Sequence, residues 1–188
     1  MKSIILASQS PRRKELLSLL DLEFEVVVKS IDEVFPKDLK TSEVAEYLAA
    51  LKASAFTNIE DEQVIITADT VVILNDTILG KPKDKAEATE MLRSLSNKSH
   101  QVITGVCLKS AKKIISFSSS TKVYFKNLSD NEIDYYIENY KPYDKAGSYG
   151  IQEWIGAIGI TKIDGSYFNV VGLPIQELNE QLKNFCNG

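Results

Sequence analysis

Val64-Ile65-Ile66-Thr67-Ala68-Asp69-Thr70-Val71-Val72-Ile73-Leu74 decides the fold class. Apolar and β-branched side chains in unbroken runs suit a strand buried on both faces, as found in α/β proteins. Val64–Thr67 is such a run and continues into Val71–Leu74, with Asp69 at the junction. Upstream, a helix is expected from Thr41 or Ser42, with Val44, Leu48, Leu51 and Ala55 as its apolar stripe. Phe24–Val28 and Ile4–Ala7 read as two further strands, and 29–40 as polar and irregular. Pro11, with Ser10 as N-cap, opens a helix carrying Arg13, Leu16, Leu17 and Leu20. Downstream, Asp84-Lys85-Ala86-Glu87 has the form of a capping box ahead of Ala88, Met91, Leu92 and Leu95. Strands are expected near 100–108 and 114–125. Ser129-Asp130-Asn131-Glu132 caps a helix with Ile133, Tyr136, Ile137 and Tyr140 on one face. A Gly-rich segment runs from Gly147 to Gly165, and Pro174 opens a last helix reaching Phe185. Strands interleaved with helices define an α/β protein, and consecutive strands without a helix between them make the sheet mixed. The chain reads as one domain, 1–188.

The bulk composition narrows the function. The chain has 188 residues, 44% apolar and 26% charged, enough for a sizeable core. A net charge of −4 argues against a nucleic-acid partner while leaving room for a small basic pocket. Cys107 and Cys186 form no Cys-x-x-Cys pair and read as free thiols of a reducing compartment. The apolar N-terminal run is too short for a signal peptide, and no stretch has the length to span a bilayer, so a cytoplasmic protein without a membrane partner is expected. A homodimer is compatible with the sequence. One histidine excludes a multi-His metal centre. Walker, dinucleotide-binding and Gly-x-Ser-x-Gly motifs are absent. A metal would therefore be held by oxygens, which points to Mg²⁺ or Mn²⁺.

Four segments carry candidate chemistry. Ser8-Gln9-Ser10-Pro11-Arg12-Arg13 joins a strand to a helix start, where free backbone N–H groups and the helix dipole favour phosphate. Two forked guanidinium groups match phosphate oxygens, and cations in a first helical turn are otherwise unfavourable. An ordinary N-cap with solvated arginines is the plainer alternative. Asp69, followed by Thr70, is a carboxylate within apolar β-formers, which is costly unless paired or metal-bound, and it reads as a general base or metal ligand. Its plainer alternative is an exposed turn between two strands. Gly80-Lys81-Pro82 would hold a lysine at a loop tip, and Lys52 follows Leu51 beside its helix's apolar stripe; either could equally face solvent. In Asp144-Lys145-Ala146-Gly147-Ser148-Tyr149-Gly150-Ile151-Gln152, glycines permit close backbone approach, and Gln152 both donates and accepts, matching the imide edge of uracil or thymine. An exposed glutamine beside a glycine turn is the alternative.

Together these segments resemble the Maf (septum-formation) family of nucleotide pyrophosphatases. The likeness covers nearly the whole chain. Its blocks are Ser8-x-Ser10-Pro11-Arg12-Arg13, Ile31-Asp32-Glu33, Ala68-Asp69-Thr70, Gly80-Lys81-Pro82, His100-x-Val102-x-Thr104-Gly105-Val106, Asp144 to Gln152, and Asn169-Val170-Val171-Gly172-Leu173-Pro174, in order. The resemblance implies an elongated mixed sheet flanked by helices, similar to inosine triphosphatases, with a ligand cleft between two lobes. It implies hydrolysis of a nucleoside triphosphate between the α and β phosphates, with Asp69 as proton acceptor. Arg12, Thr70 and Gln152 match positions marking the branch that acts on dTTP and UTP. On this expectation Ser8, Arg12 and Arg13 hold the triphosphate. Lys52 and Lys81 reach further phosphate oxygens, and Asp69 with Glu33 holds the divalent ion. Two rivals remain at this stage: a pyrophosphatase for other damaged or modified nucleotides, and a nucleotide-binding regulator of cell division without turnover.

Overall fold

The computed structural model describes residues 2–187. Its elements, in chain order, are β1 (Ser3–Leu6), α1 (Pro11–Ser18), β2 (Phe24–Val26), α2 (Val44–Ser54), β3 (Gln63–Leu74), β4 (Thr77–Leu79), α3 (Lys85–Leu95), β5 (Ser99–Lys109), β6 (Ile114–Phe125), α4 (Asp130–Tyr140), α5 (Trp154–Gly159), β7 (Ile160–Asp164), α6 (Tyr167–Val171) and α7 (Ile175–Asn187). Short 3₁₀ turns precede α2 at Thr41–Glu43 and occupy Ala146–Ser148. The seven strands form one mixed sheet in the order β2-β1-β3-β5-β6-β7, with β4 paired to β3. β1 is parallel to both β2 and β3, whereas β4 on β3 and β7 on β6 are antiparallel. This is the expected α/β class with a mixed sheet.

The stretch around Asp69 is a single strand. β3 runs without interruption for 12 residues, so the alternative of a turn between two strands is removed. After Gln63 the strand is buried throughout except at Asp69 and Thr70, which are intermediate and mark the point where it meets polar surroundings. One segment holds elements that the sequence did not indicate, and one expectation needs correction. The Gly-rich segment 147–165 contains α5 and β7, because Ile155, Gly156 and Gly159 pack inward despite low helix propensity. At Asp84 only half of the capping box forms: its side chain accepts from the Glu87 N–H, but the Glu87 carboxylate accepts from the Lys83 N–H instead. The box at Ser129 is complete.

The chain divides into two compact units, and β3, β5 and β6 contribute residues to both. The first comprises Met1–Thr70, Thr104–Ser119 and Gly172–Gly188. Here α2 presses against β5: a Cβ on Gly105 would lie 2.3 Å from the Ala45 backbone, so only glycine allows this approach. Ala49, Ala53 and Cys107 close the same contact, and the Thr67 hydroxyl donates to the Ala49 carbonyl at 2.6 Å. α2 is thereby fixed on the sheet, and with it Lys52. The second unit comprises Val71–Ile103 and Ser120–Val171. Its core gathers Leu92 and Leu95 of α3, Ile133, Tyr136 and Ile137 of α4, and Tyr149, Ile151 and Ile155. Among the described residues no helix is long and apolar enough to cross a membrane.

Candidate active site

The first unit builds a turn shaped for an anion. Ala7 stays bonded to the sheet through its N–H on the Ile66 carbonyl. The buried Ser8 hydroxyl accepts from the Ser10 N–H at 3.2 Å. Ser10 is extended and its side chain accepts from the Arg13 N–H, which makes it the N-cap of α1, with Pro11 as the first helical residue. The cap therefore forms as the sequence indicates. Arg12 and Arg13 leave the first turn, which has no acidic residue to offset them.

Arg13 is held by the protein itself. Its Nε donates to the Gly172 carbonyl at 2.9 Å, Nη1 to the Ala68 carbonyl at 2.9 Å, and Nη2 to the Thr70 hydroxyl at 3.0 Å. Three of its five N–H groups thus tie α1 to the strand residues either side of Asp69 and to the backbone before α7. Burial pulls the guanidinium below its usual pKa, with the Asp69 carboxylate opposing that pull. The Thr70 and Thr104 hydroxyls are 2.9 Å apart. Since Thr70 accepts from Arg13, its own proton is free to go to Thr104.

Asp69 sits inside this frame. Lys52 Nζ lies 2.5 Å from Asp69 Oδ1 and 3.2 Å from Glu33 Oε1. Asp69 and Lys52 side chains are 13% and 18% exposed, so their attraction is weakly screened, whereas Glu33 is 54% exposed and contributes less. Two carboxylates thus converge on one cationic position. The structure brings together Ser8, Arg13, Lys52, Glu33, Asp69 and Thr70 within the first unit, with Arg12 half-buried in the same helical turn.

Lys81 and Gln152 belong to the second unit. Lys81 is exposed just beyond β4, and the preceding Gly80 carbonyl accepts from the Gly147 N–H at 3.1 Å. Gln152 is exposed on the turn before α5 and lines an open depression of about 520 Å³, with Ile151, Gly156, Ile160 and Tyr167 among its walls. Sequence reasoning gave no role to Thr104 or Gly172, although both lie in motif blocks. It placed Tyr136 only on an apolar helix face, and it passed over Glu153 altogether. A lone hydroxyl or carboxylate in an otherwise regular helical pattern gives no signal until its partner is known.

A carboxylate in a central strand, paired with a lysine and set beside an arginine-bearing helix N-terminus, is an arrangement suited by its chemistry to a phosphate-bearing ligand in an α/β protein. The model of the Maf-like protein family matches residues 3–185, and the chain belongs to that family. Curated relatives named "dTTP/UTP pyrophosphatase" include those of Porphyromonas gingivalis (54% identical, 97% of this chain and 94% of the relative), Flavobacterium psychrophilum (55%, 96% and 93%) and Phocaeicola vulgatus (56%, 96% and 94%). Among solved structures, the Staphylococcus aureus Ham1 protein aligns with a TM-score of 0.47 at 14% identity, over 66% of this chain and 72% of that one.

Proposed function

We propose that this chain is a dTTP and UTP pyrophosphatase: water attacks the α-phosphorus, the bond from it to the α–β bridging oxygen breaks, and the products are the nucleoside monophosphate and pyrophosphate. The observation that carries this reading is the Lys52–Asp69 pair at the heart of a phosphate-suited turn, in a chain more than half identical to relatives bearing that name. A bare carboxylate repels an anionic ligand, so Asp69 beside the phosphates calls for a cation at its side or a part in the chemistry. As a base it orients the water and takes its proton.

The roles divide by chemistry. Ser8, Arg12 and the α1 N-terminus take triphosphate oxygens, with the two remaining N–H groups of Arg13 available to the same ligand. Lys52 and Lys81 offset charge on the departing pyrophosphate. Gln152 reads the imide edge of the pyrimidine. Asp69 and Glu33 fit a divalent cation, because two carboxylates already share one cationic partner; among the described residues no group of three or more His, Cys, Asp or Glu could hold one unaided. Mg²⁺ suits such a set, being commonly held by one or two carboxylates plus substrate phosphates, and Mn²⁺ takes the same oxygen ligands. When bound, it would neutralise phosphate charge and lower the pKa of a water. The acidic net charge favours a free nucleotide over nucleic acid as the partner.

The test is direct. Purified protein is incubated with Mg²⁺ or Mn²⁺ and each common nucleoside triphosphate, and pyrophosphate is assayed against orthophosphate. Pyrophosphate from UTP and dTTP, with little from the others, is the expected result. Orthophosphate alone would move the cut to the terminal phosphate. Tight binding without product from folded protein would make the chain a nucleotide-binding regulator.

A further inference from the structure

The turn that carries Gln152 is held by a network that the reaction chemistry does not use. Gly150 to Glu153 closes as a β-turn, with the Glu153 N–H donating to the Gly150 carbonyl at 3.0 Å. Ile151, buried, and Gln152, exposed, are its two central residues. Both ends of the turn meet one oxygen. The Tyr136 hydroxyl, wholly buried on α4, accepts from the Gly150 N–H at 3.0 Å and donates to Glu153 Oε2. The other Glu153 oxygen, Oε1, receives Lys145 Nζ at 3.0 Å, and Lys145 is itself only 8% exposed. The packing leaves no slack: a Cβ on Gly150 would come within 2.8 Å of the Glu153 carboxyl carbon and 3.1 Å of Lys145 Cε. Behind the turn, a Cβ on Gly156 would lie 1.9 Å from the Ile151 carbonyl oxygen.

We propose that Tyr136 is a positioning residue for base selection, its hydroxyl fixing both ends of the turn that presents Gln152. This rests on the reading of Gln152 as the group that meets the pyrimidine. A glutamine amide on an untethered turn would sample many orientations, and a hydrogen-bonding pair that must first be ordered is weaker by the cost of ordering it. The tyrosine serves because it bridges: it satisfies a buried N–H and a carboxylate with one atom. Burial and the adjacent Glu153 carboxylate push its pKa upward, so the hydroxyl keeps its proton and stays a donor.

The experiment compares wild type, Tyr136→Phe, Gln152→Ala and the double variant on UTP, dTTP, CTP and GTP, reading KM and kcat separately, with urea unfolding as a check of the fold. Tyr136→Phe should raise KM for UTP and dTTP about 5–10-fold, the worth of one well-placed hydrogen bond, and cut the preference over CTP by a like factor. Its kcat should stay within about 2-fold, since uniform binding and not the barrier is affected. With Gln152 already removed, loss of the hydroxyl should add less than about 2-fold to KM, because the two act through one contact. Equal losses on all four nucleotides, or effects that multiply in the double variant, would overturn the positioning role. Should Tyr136→Phe fail to fold, Glu153→Gln against Glu153→Ala decides it. Gln keeps an oxygen for the tyrosine proton and should hold the pyrimidine preference that Ala loses; equal outcomes overturn the proposal. A wild type without preference for UTP and dTTP overturns the functional reading itself, and base selection with it.

Discussion

Lys52 and Lys145 stand in matching surroundings, but the carboxylates they shield have different further partners. Each lies between one shielded and one exposed carboxylate: Lys52 between Asp69 (13% exposed) and Glu33 (54%), Lys145 between Glu153 (19%) and Asp144 (58%). The distances are comparable, 2.5 and 3.2 Å in the first trio, 2.8 and 3.0 Å in the second. What separates them is the further partner of the shielded carboxylate. Glu153 also takes the Tyr136 hydroxyl, and through it the backbone of Gly150. Around Asp69 the frame is built by Arg13, which bonds the flanking Ala68 carbonyl and Thr70 hydroxyl and leaves the carboxylate itself to Lys52. A lysine between two carboxylates is therefore neither a catalytic nor a structural signature. The role follows from whether the carboxylate's remaining acceptor capacity is taken up by the protein or left for a ligand.

The strongest way to break this contrast is Asp69→Asn. If Asp69 is the base, kcat on UTP should fall about 10²-fold or more, while the protein keeps its fold and a cooperative urea transition, because Arg13 and Thr70 hold the strand around the residue. Near-wild-type turnover would place Asp69 in the same category as Glu153 and end the distinction.

A pH series sharpens the second unit's side of it. His100 is 2% exposed, its Nε2 lies 2.7 Å from the Tyr149 hydroxyl, and burial lowers its pKa to about 4. Tyr149 is pushed upward by its own burial, so it keeps the proton it shares with the ring. The folded state thus holds His100 neutral, whereas the unfolded chain charges it near its ordinary value of about 6.5. Below that value the unfolded chain binds the extra proton, so stability falls as pH drops from about 6.5 towards 4. The full loss is of the order of 3 kcal/mol. His100→Gln should remove most of that slope between pH 7 and pH 4.5. An unchanged slope would mean that carboxylates alone set the acid limit.

How much of this could be read from residues alone differs between the trios for the same reason. Asp69 announced itself because a carboxylate among Val, Ile and Thr conflicts with its local pattern, and the single strand β3 now explains why the conflict is tolerated: Lys52 neutralises it. The N-cap at Ser10 and the box at Ser129 were legible because their partners are three residues away. Gln152 drew notice through its glycines, but its support did not. Tyr136 is 14 residues from Gly150 and 17 from Glu153, and it fits the apolar stripe of α4 so well that nothing in the spacing sets it apart. Arg13 was legible as a cation at a helix start, but not as the tie to Gly172, 159 residues away. The helix and strand inside 147–165 were hidden by glycine, whose low propensity is outweighed there by packing that only glycine permits.

Exchanging each lysine for an apolar side chain of similar length tests the contrast at its finest. Lys145→Met leaves the shielded Glu153 side chain without its cation, with the Tyr136 hydroxyl and a modest solvent exposure as its remaining help. Losing one member of a fully buried pair costs about 3–5 kcal/mol, and the partial exposure of Glu153 reduces the expected loss to about 2 kcal/mol. Turnover at saturating UTP should stay within about 3-fold of wild type, since no group at the reacting phosphate is touched. Lys52→Met should show the reverse balance: a smaller loss of stability, because Asp69 keeps the attraction of Arg13, and a larger loss of kcat, because a charge offsetting the departing pyrophosphate is gone. The two variants therefore exchange rank between the unfolding curve and the rate assay. If both lose stability and both lose turnover in the same proportion, the matching surroundings of the two lysines reflect matching roles, and the further partner of the carboxylate is not what decides between them.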